Sequence, residues 1–202
     1  MSKRPGANKA NLEETHKVFL EIALKEFCEH GYMQASTSRI VEKSGMARGS
    51  LYYHFGDKNG LFVAVYQYVV SKALEEINTL ISSIKDPWEA YKVGTLKYMD
   101  FCMDNEFRKI TLIESQAAMS IKDRFKIQEK ALQGKLRDVL VPLVAQGHFP
   151  GHTVDTAAVF TFGILSEVGR YFDFTDDLEK ARKEFGQAYE ETLDLQYNKN
   201  AA

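Results

Sequence analysis

Between Arg39 and Lys58 the chain gathers side chains that donate hydrogen bonds or present flat rings: Arg39, Lys43, Arg48, Tyr52, Tyr53, His54 and Lys58. None has a neighbour that would make it a nucleophile or a general base, and the chain contains no Gly-rich phosphate loop or nucleophile elbow. Such a set is suited to binding. An arginine takes guanine through O6 and N7, a tyrosine ring meets a thymine methyl, and ammonium groups take phosphates. Elsewhere, His148 and His152 flank Phe149-Pro150-Gly151, which breaks a helix and spoils the geometry of a metal-ligand pair, and His16 and His30 form no functional pair with the acidic residues. Neither catalysis nor a metal or cofactor is expected.

These side chains need a scaffold, and the stretch from Thr37 to Phe62 supplies one. Ile40, Met46, Leu51 and Phe55 fall where two short helices, broken at Gly45, turn one side inward, leaving the basic and aromatic residues outside. This is the pattern of a helix-turn-helix, whose second helix has the dimensions to enter a DNA major groove. Thr37 is placed to cap the first helix of the pair, which runs to about Ser44. No Glu or Gln follows three residues later to close a capping box, so that helix start keeps N–H groups for an anion, with Arg39 and Lys43 adding charge on one face. The second helix runs from about Arg48 to Phe55. Leu51 and Phe55 point inward there, and Arg48, Gly49 and Tyr52 lie opposite, Gly49 admitting close approach. Phe19, Ile22, Ala23 and Phe27 make the segment from Leu12 to His30 a buttressing helix stopped at Gly31. Residues 1 to 11 read as a flexible arm, with Lys3, Arg4 and Lys9 free to touch phosphates or a minor groove.

The order Thr37, Ile40, Gly45-Met46, Arg48-Gly49-Ser50-Leu51-Tyr52-Tyr53-His54-Phe55, Asp57-Lys58 and Leu61-Phe62 resembles the DNA-binding head of the tetracycline-repressor (TetR) family of bacterial transcription regulators. The resemblance implies a DNA-binding set of Thr37, Ser38, Arg39, Arg48, Gly49, Ser50, Tyr52, Tyr53, His54 and Lys58. Within it, Arg48, Gly49 and Tyr52 read bases, and Tyr53, His54 and Lys58 clamp phosphates on either side. Four positions depart from the family pattern. Ala47 replaces the Ser or Thr that often caps the recognition helix, at a local cost of about 1 kcal/mol. Val41 and Ser44 occupy positions where alanine is common. Gly60 falls in the opening turns of the next helix, where Glu or Ala is usual.

The expected fold is all-α, a three-helix head of residues 1–60 on a helical-bundle body of residues 61–202, with about nine helices in total. A fourth helix opens at Lys58 and carries the stripe Phe62, Tyr66, Val69, Ala73, Ile77, Leu80 and Ile84. At about 1.5 Å per residue it makes a rod near 37 Å that joins head to body, with the boundary inside it between Asn59 and Val63. Asp86-Pro87 starts a further helix, and the body continues over Pro87 to Asp104, Glu106 to Met119, Ile121 to Gln146, Thr153 to Phe172 and Asp176 to Tyr197. The helix after Thr153 has two apolar stripes and must be covered on both sides: Val154, Ala158, Phe162, Leu165, Gly169 and Phe172, and then Ala157, Phe160, Ile164, Val168 and Tyr171. The last helix alternates Leu178, Ala181, Phe185, Ala188, Thr192 and Leu195 at bundle spacing. The first stripe and this last set are expected to form an isologous four-helix dimer interface, since paired heads read two half-sites about 34–36 Å apart.

Large side chains crowd the middle helices: Tyr66, Trp88, Tyr91, Tyr98, Cys102, Phe107, Ile113 and Phe125. Stripes of this kind build an ordinary core or line an apolar cavity with a few hydroxyls; the family resemblance implies an effector pocket here. Glu114, among Thr111, Leu112, Ile113 and Ala117, reads as solvated or as facing that cavity. The net charge of −2 rules out bulk attraction to nucleic acid, and residues 1–60 hold nine Lys or Arg against seven Asp or Glu, too small a surplus to argue from. Cys28 and Cys102 lack metal or disulfide spacing and read as buried apolar groups. The polar start has no signal-peptide core and no run is long enough to span a membrane, so a cytoplasmic protein is expected, and the family resemblance implies a bacterial one. The combined reading is a repressor that leaves a palindromic operator when a small, largely apolar effector binds. Its expected partners are double-stranded DNA, a second copy of the chain and that unidentified effector. The alternative is an activator or architectural DNA binder with a filled body.

Overall fold

The computed structural model describes residues 5–128 and 134–197, with side chains from residue 12 onward except those of Phe125 and Gln128. Ten helices are present among the described residues, and no strand: α1 Pro5–Gln34, α2 Thr37–Ser44, α3 Arg48–Phe55, α4 Lys58–Ile81, α5 Pro87–Met103, α6 over 105–118, α7 Ile121–Gln128, α8 Gly134–Ala145, α9 Val154–Tyr171 and α10 Leu178–Gln196. Of the arm expected over residues 1 to 11, the part from Pro5 onward is helix, and residues 1–4 lie outside the description. The single helix expected over 121–146 is described as two pieces, α7 and α8, on either side of residues 129–133. None of these helices is long and apolar enough to cross a membrane.

Helix α1 is broken at Gly31, which sits at φ 70, ψ 162, a conformation that costs other residues a clash at Cβ. Before the break, Phe19, Ala23 and Phe27 are fully buried, as their spacing predicts. The Phe27 ring meets Phe62 of α4 edge-on at 5.1 Å, and Tyr32, just past the break, meets the same ring at 5.3 Å. Helix α4 starts at the Asp57 cap, whose carboxylate accepts from Gly60 N–H at 2.7 Å. Gly60 is required by packing at this point: a Cβ there would lie 2.0 Å from the Phe55 carbonyl oxygen.

In the body, α4 and α8 pack on α5, and so do α9 and α10. Asp86 caps α5 with Pro87 at its first position, and Ser120 with Asp123 opens α7, both as the sequence predicts. Helix α6 contains a π-helical segment, Lys109–Glu114, between two short α-helical pieces. Ion pairs that tie these helices together include Arg108 with Asp173 at 3.2 Å, Arg182 with Asp100 at 2.6 Å and Arg137 with Asp155 at 2.7 Å. Arg108 also donates to the carbonyls of Cys102 and Met103 at the end of α5.

The stripe of α9 expected at a dimer interface faces this chain's own core. Ala158, Leu165, Gly169 and Phe172 are buried, and Val154 and Phe162 partly so. At Gly169 the helix comes so close that a Cβ would lie 2.5 Å from Leu112 Cδ1 and 2.8 Å from Cys102 Sγ, and that approach selects the inward stripe. Of the second stripe, Ala157 and Val168 are buried as well, and Phe160, Ile164 and Tyr171 are left exposed beside Val159. On α10, Ala181 is buried and Leu178 and Phe185 are partly buried against the body, while Ala188, Thr192 and Leu195 are exposed. The core side of α10 is carried by Tyr189 and Leu193 instead.

Gly60→Ala is expected to destabilise the chain by about 1–3 kcal/mol despite alanine's better helix propensity, because the fixed Phe55 carbonyl must move. Urea unfolding followed by circular dichroism measures this.

Candidate nucleic-acid interface and ligand cavity

Helices α2 and α3 meet through Gly45, which closes α2 in the left-handed region at φ 65. Ser44 stabilises the turn by donating to Val41 O at 2.8 Å and accepting from Met46 N–H at 3.2 Å, which gives a use to one departure from the family pattern. Ile40 and Leu51 are fully buried and Phe55 nearly so, and α1 forms the wall behind them. The cap of α2 is Ser36 and not Thr37: Ser36 is extended, and its hydroxyl accepts from Arg39 N–H at 3.4 Å, so Thr37 is already the first helical residue. Helix α3 has no side-chain cap at Ala47, as the sequence predicts.

The outward face carries Arg48, Gly49, Tyr52 and Tyr53, with Ser38 exposed and Thr37 and Ser50 half-buried. Tyr53 is 76% exposed and packs against nothing deeper than His54. The Tyr52 hydroxyl accepts from Arg48 at 3.4 Å, and the guanidinium lies 5.6 Å from its ring centre. Hydrogen bonds from Arg48 and then Thr37 hold the Tyr52 phenol below its ordinary pKa. Thr37, Arg48 and Tyr52 are thus brought together at one point on the face.

Four side chains expected at phosphates are turned elsewhere. Arg39 donates to the fully buried Glu26 at 2.7 Å and to Gln34 O at 2.8 Å, and Lys43 reaches the other Glu26 oxygen at 3.2 Å. A carboxylate without water needs these partners, and that need outweighs exposure of the cations. Lys58 donates to Met33 O at 3.1 Å and lies 4.9 Å from the Tyr32 ring centre, which caps the end of α1. The His54 ring faces back to His16 at 5.7 Å, and its Nε2 is covered with no hydrogen-bond partner among the described residues.

Glu26 was not legible from the pattern of basic residues; its signal is a carboxylate standing beside Phe27 and three residues after Ala23 in the apolar stripe of α1. Burial alone would raise its pKa, but hydrogen bonds from Arg39, Ser36 N–H and Lys43 reverse this and hold it at about 2.

A half-open cavity of about 90 Å³ lies in the body between α4, α5, α8 and α9. Leu74, Ile77 and Ile81 form one wall, Leu136 and Val139 a second, Phe162 and Leu165 a third, and Ala90, Tyr91, Gly94, Thr95 and Tyr98 the fourth. Asn78 and Lys135, both exposed, supply its outer polar groups. Of the residues expected here, Tyr91 and Tyr98 line the cavity. The others do not: Trp88 packs against the rings of His148 and Tyr197, Phe107 against those of Tyr98 and Phe101, and Cys102 against Gly169. Tyr66 is buried and Ile113 partly buried outside the lining, and the Phe125 side chain lies outside the described residues. Each was expected because it is large, whereas a cavity forms where residues are small, here at Ala90 and Gly94. A Cβ at Gly94 would sit 3.5 Å from Ile77, at ordinary contact. Burial pushes both the Cys28 and Cys102 thiols up to about 12, so neither carries reactive thiolate at neutral pH.

Residues 19–65 match the family profile described as bacterial regulatory proteins, tetR family, and residues 88–195 match that of the tetracyclin repressor-like C-terminal domain. The transcriptional repressor AcnR of Corynebacterium diphtheriae is 28% identical over 144 residues, covering 66% of this chain and 74% of that protein. A TetR-family regulator from Pectobacterium atrosepticum superposes with a TM-score of 0.77 at 25% identity, over 94% of this chain and 97% of the other. FadR of Bacillus subtilis, solved in complex with stearoyl-CoA, has the same fold at a TM-score of 0.75 and 20% identity, over 90% and 99% of the two chains.

Because Glu26 is held below its ordinary value near 4.5, its contribution to stability is complete above that pH and is lost as pH falls toward about 2. Urea midpoints should therefore drop between pH 4.5 and 3 in the wild type and less steeply in Glu26→Gln. That variant should also be less stable at pH 7, by roughly 1–3 kcal/mol.

Proposed function

Since the chain belongs to the TetR family of bacterial regulatory proteins and is a DNA-binding transcriptional regulator rather than an enzyme, we propose that it is a homodimeric repressor released from a near-palindromic operator by a small, largely apolar effector. The observation that carries this reading is the open face of α3, where Arg48, Gly49, Tyr52 and Tyr53 are exposed and Arg48 and Tyr52 are held against each other on that face. Arg48 and Tyr52 read bases, Thr37 and Ser38 at the start of α2 meet a phosphate, and Tyr53 meets the backbone on the other side. Arg39, Lys43 and Lys58 act by holding this unit together and by adding positive charge near it.

We assign residues 1–60 to a DNA-binding head and residues 61–202 to an effector-binding and dimerising body, a reading supported by the separate family matches of residues 19–65 and 88–195. Two copies pair through the open stripe of α9, Phe160, Ile164 and Tyr171, together with the exposed side of α10 around Ala188, Thr192 and Leu195. The effector occupies the cavity walled by Ile77, Leu136, Val139 and Phe162, whose lining is apolar apart from the hydroxyls, Asn78 and Lys135. It can act only through unequal affinity for two body conformations, and reversing a 1:99 population needs about 5.5 kcal/mol.

Selection of bound duplexes from a random pool tests the DNA half. The wild type should enrich a two-fold symmetric sequence, and Arg48→Ala should lose about 1–3 kcal/mol of preference at one position per half-site. An unchanged enriched sequence in Arg48→Ala combined with Tyr52→Ala would contradict the assignment. For the pairing, Phe160→Glu with Ile164→Glu should sediment at half the wild-type mass and enrich no symmetric sequence. A variant that stays dimeric would place the interface elsewhere.

A further inference from the structure

In an uninterrupted α1 the N–H of Tyr32 would donate to the carbonyl of Cys28, four residues back. Gly31, at ψ 162, turns the next peptide away and opens that bond. Both released groups are taken by side chains of α6. Glu114 accepts from Tyr32 N–H at 2.7 Å, and Lys109 donates to Cys28 O at 3.2 Å. One backbone hydrogen bond inside the head is thereby exchanged for two bonds to the body. The space is shaped for this, since a Cβ at residue 31 would stand 3.2 Å from both Glu114 carboxylate oxygens.

Lys109 and Glu114 are the first and last residues of the π-helical segment of α6. In an α-helix, residues five apart point about 140° away from each other. The wider turn, closed by i→i+5 hydrogen bonds, brings them over one face. The two contacts on α1 therefore require the π form, and a return to α-helical winding would withdraw one of them. The far side of the same segment touches the body's interior: Leu112 lies against Gly169 of α9, and Phe107, just before the segment, meets the ring of cavity-lining Tyr98 at 5.6 Å. Past the open turn lie Met33, whose carbonyl takes Lys58, and Ser36, whose N–H goes to Glu26. Asn59, at the start of α4, donates to the carbonyl of Ala118 at the end of α6, a third link between the same parts.

We propose that Lys109 and Glu114 form a two-pronged clamp on the open turn of α1, and that filling the cavity changes DNA binding by changing the turn of α6 that presents the prongs. The second clause rests on the ligand-responsive reading above. The clamped turn and a closed, continuous α1 are alternative ways to satisfy the same two backbone groups. The region is thus a two-state element, with the body acting on one state and the DNA-reading unit attached to the other end.

The test uses the full chain and a duplex recovered by selection against it. Amide exchange at Tyr32 and DNA affinity are measured for the wild type, Glu114→Ala and Glu114→Gln, the last keeping a carbonyl oxygen able to accept from Tyr32. Glu114→Ala should change exchange at Tyr32 by about tenfold or more, faster where the released N–H stays open and slower where α1 closes onto Cys28, and change DNA affinity by about fivefold or more, with Glu114→Gln close to wild type in both. Indifference of Tyr32 to Glu114→Ala, or a Gln variant as disturbed as the Ala variant, overturns the clamp. Gly94→Leu, which fills the cavity, separates the clamp from the ligand reading through a double-mutant cycle. Its effect on DNA affinity should be about tenfold alone and vanish in combination with Glu114→Ala. An equal effect in both backgrounds overturns transmission through the clamp. No effect in either defeats the ligand-responsive reading and the second clause with it, while exchange at Tyr32 still decides the first.

Discussion

A carboxylate with no access to water, set between Ala23 and Phe27 on the packed side of a helix, has to be answered by N–H groups and cations, because a lone buried charge is too costly to keep. Glu26 collects Ser36 N–H, Arg39 and Lys43, and all three belong to α2 or the residue that caps it. This fixes the angle at which α2 leaves α1, and with it the placement of α3, which has no side-chain cap to hold its own start. The arrangement also decides which cations remain for other work. Arg39 and Lys43 are held from behind, so the open face depends on Arg48, its tyrosines and the exposed start of α2.

The same helix that buttresses the head also touches the body. Helix α1 lies along α4, and past Gly31 its last turn is fastened by Lys58 from one side and by α6 from the other. Since α4 runs from the Phe55 carbonyl to the cavity wall at Ile81 without a linker, head and body share two rigid members, α4 and the α1–α6 contact. A displacement in the body has no soft segment among the described residues in which to dissipate before reaching α2.

Helix α9 is apolar nearly all round, and the consequences differ on its two sides. Phe162 and Leu165 wall the cavity, while Phe160 and Ile164, one residue or two away in sequence, face outward. In the proposed dimer the pairing surface and the ligand cavity would be separated by the thickness of one helix. Gly169 presses that helix onto Leu112 of the π segment, which brings cavity, pairing surface and α6 into a single packed unit.

Local sequence determined a good deal by itself. The apolar spacing of Ile40, Leu51 and Phe55 gave the inward side of the head, and therefore the outward position of Arg48, Tyr52 and Tyr53. Asp86-Pro87, Ser120 with Asp123 and the missing cap at Ala47 were equally readable, because caps and helical faces depend on residues within a turn or two of one another. Tertiary structure alone decided the rest. It drew Arg39 and Lys43 onto Glu26, and selected which stripe of α9 faces inward. It put the cavity beside Ala90 and Gly94 instead of among the largest side chains, and it turned Glu114 from the cavity toward Tyr32. Each of these outcomes depends on a partner far away in sequence, whose burial or close approach outweighs a local preference of about 1 kcal/mol.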